Sequence, residues 1–176
     1  MKSRVLLVGL CICLLGACTE ICYKEPQPKG VKSLREVPSR LQGSYLIQED
    51  DKSMDTLMVM NTGYVINNDE VAYLSDSIVL KYYKGYYFLN TREDFTWHLR
   101  IVRQEKGGNL VFSAMDQVPE KDEERKAFLQ RLSSEVKIVE SEVDGKNYYV
   151  IDPTPKELMG LIRKGFFKSQ VFTKMK

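Results

Sequence analysis

Residues able to do chemistry are sparse in this chain. Among 176 residues there is one histidine, His98, with four cysteines and 24 carboxylates. A lone imidazole excludes a His-rich metal centre and any pair of catalytic histidines. A Ser-His-Asp triad would have to use His98, yet no serine stands in a Gly-x-Ser-x-Gly elbow. No Gly-x-Gly-x-x-Gly, no P-loop and no Cys-x-x-Cys occurs either. His98 alternates with Trp97 and Leu99, so the spacing predicts a strand histidine on a solvent-facing surface.

The carboxylates offer two chemistries. Glu49-Asp50-Asp51 with Asp55 has the oxygen donors of a calcium site, although four acids in one exposed turn more commonly serve solubility. Two acids from separate places could hydrolyse a glycosidic bond, which requires only a carboxylate pair at the right separation, a distance the sequence does not give. The aromatic residues are more concentrated. Tyr82, Tyr83, Tyr86 and Tyr87 flank Lys84-Gly85, and Trp97 follows. Their rings combine large apolar faces with polar tips and suit a ligand or protein surface where exposed. Adjacent residues of a strand point to opposite faces, so at most half of these tyrosines share one surface.

The elements that must carry these residues are mostly strands. From residue 41 to about 115 the chain alternates short β-type runs with turn residues, predicting strands at 43–49, 56–60, 64–67, 76–83, 86–91, 95–104 and 109–115. Connections this short force antiparallel neighbours, hence a meander forming a barrel or sandwich. The firmest prediction is the hairpin of 95–104 with 109–115 around Gly107-Gly108. Phe95, Trp97, Leu99 and Ile101 would face a core, and Thr96, His98 and Arg100 would face water.

Two short amphipathic helices follow in the C-terminal third. One spans 120–132 behind Pro119, with Phe128, Leu129 and Leu132 as its apolar stripe and its many charges read as a solvated face. The other spans 155–164, where Thr154 and Glu157 have capping-box spacing, Pro155 starts the helix and Gly165 ends it. Between them, 136–143 and 147–151 read as a hairpin around Asp144-Gly145. Residues 166–174 return as a strand or dock on the sheet. The fold class expected is mainly β within an α+β chain.

The N-terminus has its own pattern. Lys2 and Arg4 precede thirteen small and apolar residues ending at Ala17, too short a run for the roughly 20 residues of a membrane span. Leu15-Gly16-Ala17-Cys18 resembles a bacterial lipobox. The resemblance implies that residues 1–17 are a signal peptide that is removed, and that Cys18 takes a thioether diacylglycerol and an acyl chain on its new amino group. Two or three chains make a lasting anchor where one does not. Thr19 stands where some lipoproteins carry the aspartate that retains them at the inner membrane, which leans toward the outer membrane of a bacterial envelope.

Removal of the signal takes away two of 26 basic residues and none of the 24 acidic ones, so the remaining chain carries equal numbers of each sign. Such a balance leaves no electrostatic footprint for nucleic acid. Cys11 and Cys13 leave with the signal, so Cys22 is the only thiol beside the lipidated one. It could pair between chains or be acylated, but is read as an unpaired thiol in a tether.

Residues 18–40, with Pro26, Pro28, Gly30 and Pro38, are expected to form a semi-rigid stalk below a single domain at 41–176. That domain opens on Leu41-Gln42-Gly43-Ser44-Tyr45, which resembles the start of lipocalin-like domains, with tyrosine in place of the tryptophan of their Gly-x-Trp. The likeness implies an open barrel with room for an apolar ligand. In layout the chain is also similar to small envelope lipoproteins of Bacteroidetes.

The expectation from sequence is therefore a lipid-anchored envelope protein with a non-enzymatic binding or structural role, needing no cofactor or metal. Its partners would be the membrane, through Cys18, and a protein, glycan or lipid ligand for which Tyr82, Tyr83, Tyr86, Tyr87 and Trp97 are the candidate contacts. A hydrolase using paired carboxylates is the alternative.

Overall fold

The computed structural model describes residues 20–48, 53–67, 69, 71–115, 118–143 and 146–175. Its elements are β1 (Glu20–Tyr23), a single 3₁₀ turn (Ser39–Leu41), β2 (Gly43–Gln48), β3 (Met54–Val59), β4 (Gly63–Ile66), β5 (Ala72–Tyr73), β6 (Ile78–Tyr83), β7 (Tyr86–Glu93), β8 (Thr96–Gln104) and β9 (Leu110–Ala114). Helix α1 (Asp122–Ser133), β10 (Ile138–Val143), β11 (Lys146–Ile151), α2 (Pro155–Arg163) and β12 (Lys168–Lys174) complete the chain. Mainly β with two helices, this is the expected class, and the predicted strands recur with ends shifted by a residue or two.

Two antiparallel meanders, β2–β5 and β6–β9, are joined edge to edge by β12. Its first half pairs with β9 (Val171 with Val111) and its last residues with β2 (Thr173 with Leu46). The β8–β9 hairpin is as read from sequence, with Arg100 opposite Ala114 and Gln104 opposite Leu110. Its turn needs both glycines, whose φ values are +103° and +95° at Gly107 and Gly108. Gly63 answers a different demand, since a Cβ there would sit 2.0 Å from the carbonyl oxygen of Ala72.

Strand β8 is where the sheet branches. The β7 ladder runs from Glu93–Thr96 to Tyr87–Val102 and occupies one edge. β1, bridged at Tyr23–Trp97, and β9 therefore share the other edge in succession. β1 continues outward to β11 through a parallel ladder, Glu20–Tyr148 to Tyr23–Ile151, and β11 pairs with β10 up to Val143–Lys146. This parallel pair departs from the all-antiparallel meander expected; the turn at Asp144-Gly145 lies outside the described residues.

The two faces of β7 and β8 have different covers. Phe88, Leu99 and Ile101 point into a core closed by α1 and α2, where Leu132, Leu158, Leu161 and Phe166 meet Ile21, Tyr23 and Ile151. Helix α2 is set by its capping box: the Thr154 hydroxyl accepts the Glu157 N–H at 3.3 Å, and the Glu157 carboxylate accepts the Thr154 N–H at 2.7 Å. Each fully buried leucine of this core contributes about 1.5–3 kcal/mol.

The opposite face was expected to be wet and is not. Thr96, His98 and Val102 are all buried, His98 with 7% of its surface exposed. Strands far apart in pairing order, β3 and β6, place Leu57 and Leu80 in the same apolar cluster with Tyr45, Val102, Leu110 and Phe172. The sheet has curled until its polar-reading face became an interior. It stops short of a closed barrel, as no ladder joins β5 to β6 among the described residues.

The expected stalk fills that gap. Ser33 bridges Lys81, the Leu34 N–H donates to Leu80 at 2.8 Å, and the Val37 N–H donates to Asn61 in the β3–β4 turn at 2.7 Å. Further back, Gln27 is fully buried, exchanging both backbone groups with the Asn90 side chain at 2.7 and 2.8 Å. Lys81 Nζ, its pKa lowered by burial with Glu25 opposing, donates to the carbonyls of Pro26 and Pro28. Lys29 pairs with Asp152 at 2.6 Å. From Glu20 onward this segment is thus part of the fold and not a spacer. Two of the prolines that suggested a stalk, Pro26 and Pro28, instead present carbonyls that Lys81 satisfies, while Asn90 satisfies Gln27 between them.

Candidate ligand-binding cavity

The curled meanders enclose a cavity of about 440 Å³, within the size range of small-molecule sites. One end is shut. Val37, Leu41, Leu80 and Leu110 form an apolar floor, each at most 6% exposed. Hydrogen bonds hold the floor turn from both sides. Tyr45 Oη donates to the Leu41 carbonyl at 2.8 Å and Gln104 Nε2 to the Arg40 carbonyl at 2.6 Å. The walls are apolar, with Leu57, Leu89 and the stacked rings of Phe112 and Phe172, whose centroids lie 4.1 Å apart.

The other end is open and polar. Following each strand away from the floor, the walls finish at Ile66, Thr91, Glu93, Arg100, Ala114 and Gln170, of which Ile66, Glu93 and Gln170 are exposed. Tyr64 sits between wall and mouth. Burial pushes its phenol pKa up, the Arg100 guanidinium pulls it back, and the Glu93 carboxylate adds to the rise. Arg100 is half-buried and lines the mouth, opposite Leu89 in the ladder.

His98 lies just beyond, its Nε2 3.6 Å from Glu93 Oε2 and 4.0 Å from Glu20 Oε2. Its burial follows from the curl: the register that puts Arg100 and Val102 inward puts His98 inward too. Such a hollow, with apolar depth and polar groups at one end, can hold an apolar or amphipathic molecule lengthwise. Chemistry by a carboxylate pair would need a second acid, and Glu93 is the one carboxylate lining the cavity among the described residues.

Searches against family models, curated proteins and solved structures return no match.

The aromatic residues singled out by sequence do not form one surface. Tyr82 and Tyr87 share a face, ring centroids 4.8 Å apart, with the Arg40 guanidinium over both and its Nε donating to Tyr87 Oη at 2.7 Å. Tyr87 is buried in doing so. Tyr83, Tyr86 and Trp97 lie on the other face, half-buried against the helix-covered core. None of the five lines the cavity. The alternation rule predicted this split, but pattern alone did not reveal that the residues of interest were the aliphatic ones between them.

Of the calcium-type acids, Glu49, Asp50 and Asp51 lie outside the described residues, as does Cys18, while Asp55 stands in β3. Among the described residues no group of three or more His, Cys, Asp or Glu side chains could hold a metal ion, and no helix is long and apolar enough to cross a membrane. Cys22 is not in a tether. It is fully buried between β8 and β11, and burial, with the Glu20 charge adding and Thr96 opposing, pushes its thiol up to about 11. Pairing with another chain would first require that strand to leave the sheet.

Proposed function

We propose that this chain is a lipid-anchored protein of the bacterial envelope, carried by acyl chains on Cys18, that binds an apolar or amphipathic lipid-class ligand in its open barrel without transforming it. The single observation carrying this reading is the cavity: about 440 Å³ of apolar-walled space, closed at the floor and open at a polar mouth. Folded cores pack to crystal-like density with few voids, so space of this size is expected to have an occupant. The lipocalin-like opening at Leu41–Tyr45 agrees with such a role, and the lipobox places the protein where acyl lipids are abundant. Outer membrane is the favoured address.

The reading is tested by preparing the Cys18→Ser chain without detergent, extracting it with organic solvent and weighing what is released. A near-stoichiometric acyl lipid is expected. An extract empty of lipid, from a chain that also takes up none when offered it, overturns the proposal.

A further inference from the structure

The mouth of the cavity and the start of the fold are at the same end of the molecule. Glu20 is the first described residue, and its carboxylate converges with that of Glu93, a mouth residue, on the same ring nitrogen of His98, at 4.0 and 3.6 Å. Glu20 already lies within β1, locked against Tyr148. Only Thr19 separates it from Cys18, and a fully extended chain advances at most about 3.6 Å per residue, so Cys18 lies within roughly 7 Å of Glu20 along the chain. The floor, by contrast, is at the opposite end of every strand.

Beside this entry point an aromatic ring is exposed. Phe95 is 44% exposed and stands edge-on to Tyr148, the residue that pairs with Glu20, with centroids 5.3 Å apart. Tyr148 brings an amphipathic ring, the type that settles at a membrane interface, and Phe95 an apolar one. Ile66, 39% exposed, adds an apolar side chain at the mouth itself. The rim carries both signs, with the carboxylates of Glu20 and Glu93 beside the Arg100 guanidinium, which complements a zwitterionic headgroup better than one of a single charge.

We infer that the cavity mouth faces the bilayer that holds the anchor, and that the ligand is an acyl chain drawn directly from a zwitterionic leaflet. This rests on the proposed lipid anchor and cavity, and adds orientation and source. A protein with a long stalk would sample all orientations; here the proposed lipid-bearing residue is two positions from Glu20. The ligand then never crosses water.

Orientation can be read with a single tryptophan. Full-length lipidated protein carrying Trp97→Phe is reconstituted into vesicles of phosphatidylethanolamine and phosphatidylcholine, with one tryptophan introduced either at the mouth, Gln170→Trp, or at the floor-end turn, Lys106→Trp. Bromine-labelled phospholipid is the quencher. The mouth tryptophan should lose at least half of its fluorescence while the floor tryptophan keeps nearly all of it. Equal quenching, or stronger quenching at Lys106→Trp, overturns the inference. Vesicle flotation and acyl-probe titration of the Cys18→Ser chain in solution separate the causes. A chain that floats and binds the probe but shows no mouth quenching loses only the orientation. A chain that fails to float loses the anchor and the inference with it, and one that floats but binds no probe loses the cavity reading.

Discussion

The two faces of β7 and β8 take opposite solutions to the same problem of burying a sheet. On one face Phe88, Leu99 and Ile101 are covered by two helices and packed solid. On the other, Leu89 and Val102 look across about 440 Å³ of space toward β3 and β4, with no helix laid over them. Stability is concentrated in the first and the opportunity to bind is in the second. The difference also separates where substitutions hurt from where they alter function.

The contrast is sharpest in its energetics. Leu158→Ala, in the helix-covered core, should cost about 2–5 kcal/mol, the usual range where a new void must open. Leu89→Ala on the cavity wall should cost about 1 kcal/mol, because the space it leaves merges with space already present. Urea unfolding of the two variants decides the matter, and equal losses would mean that the hollow side is packed like the other.

Next, and similar in size, is the segment from Glu20 to Val37, which fills the gap between β5 and β6. Asn90→Ala leaves both backbone groups of Gln27 buried without their partner, at about 1–3 kcal/mol for each orphaned group. The expected result is a loss of about 2–6 kcal/mol in urea melts together with rapid hydrogen exchange at residues 24–37. A free stalk would show neither.

Much of this was legible beforehand. Binary alternation indicated every strand of the two meanders except the two-residue β5, because period-two patterning and Gly or Asn turns are local signals. The capping box of α2 was readable for the same reason. What escaped was everything decided by distant residues. β1 is only four residues, Glu-Ile-Cys-Tyr, buried because β8 and β11 flank it, and no window that short carries a period. The face of β8 that carries Thr96, His98 and Arg100 reads as wet because all three are polar, yet Thr96 and His98 are buried and Arg100 lines the cavity mouth. The tyrosine cluster drew notice by composition, whereas the cavity is lined by ordinary Leu, Val and Phe that no motif distinguishes.

Smaller effects test the periphery of the helix-covered side. The two hydrogen bonds from Thr154 hold the Glu157 carboxyl below its ordinary 4.5, with desolvation opposing and Lys29 assisting. A carboxyl depressed in the folded state contributes stability that is present above its unfolded value and lost as pH falls through the folded one. Glu157→Gln should therefore be destabilised by a few tenths of a kcal/mol at pH 7, as for an exposed cap, and its difference from the parent chain should shrink at acid pH. Thermal melts at neutral and acid pH measure this. Cys22, buried and with its thiol pushed up to about 11, should resist alkylation in the native Cys18→Ser chain and react once the chain is unfolded.

The central claim, that the hollow face is a ligand site, is met most directly by titrating a fluorescent fatty-acid probe into the Cys18→Ser chain and into the same chain carrying Leu89→Trp, which fills the cavity from its wall. Saturable one-to-one binding that weakens at least tenfold in the filled variant, with its melting curve close to the parent's, is the predicted result. Equal affinity for the probe in the two chains would contradict it.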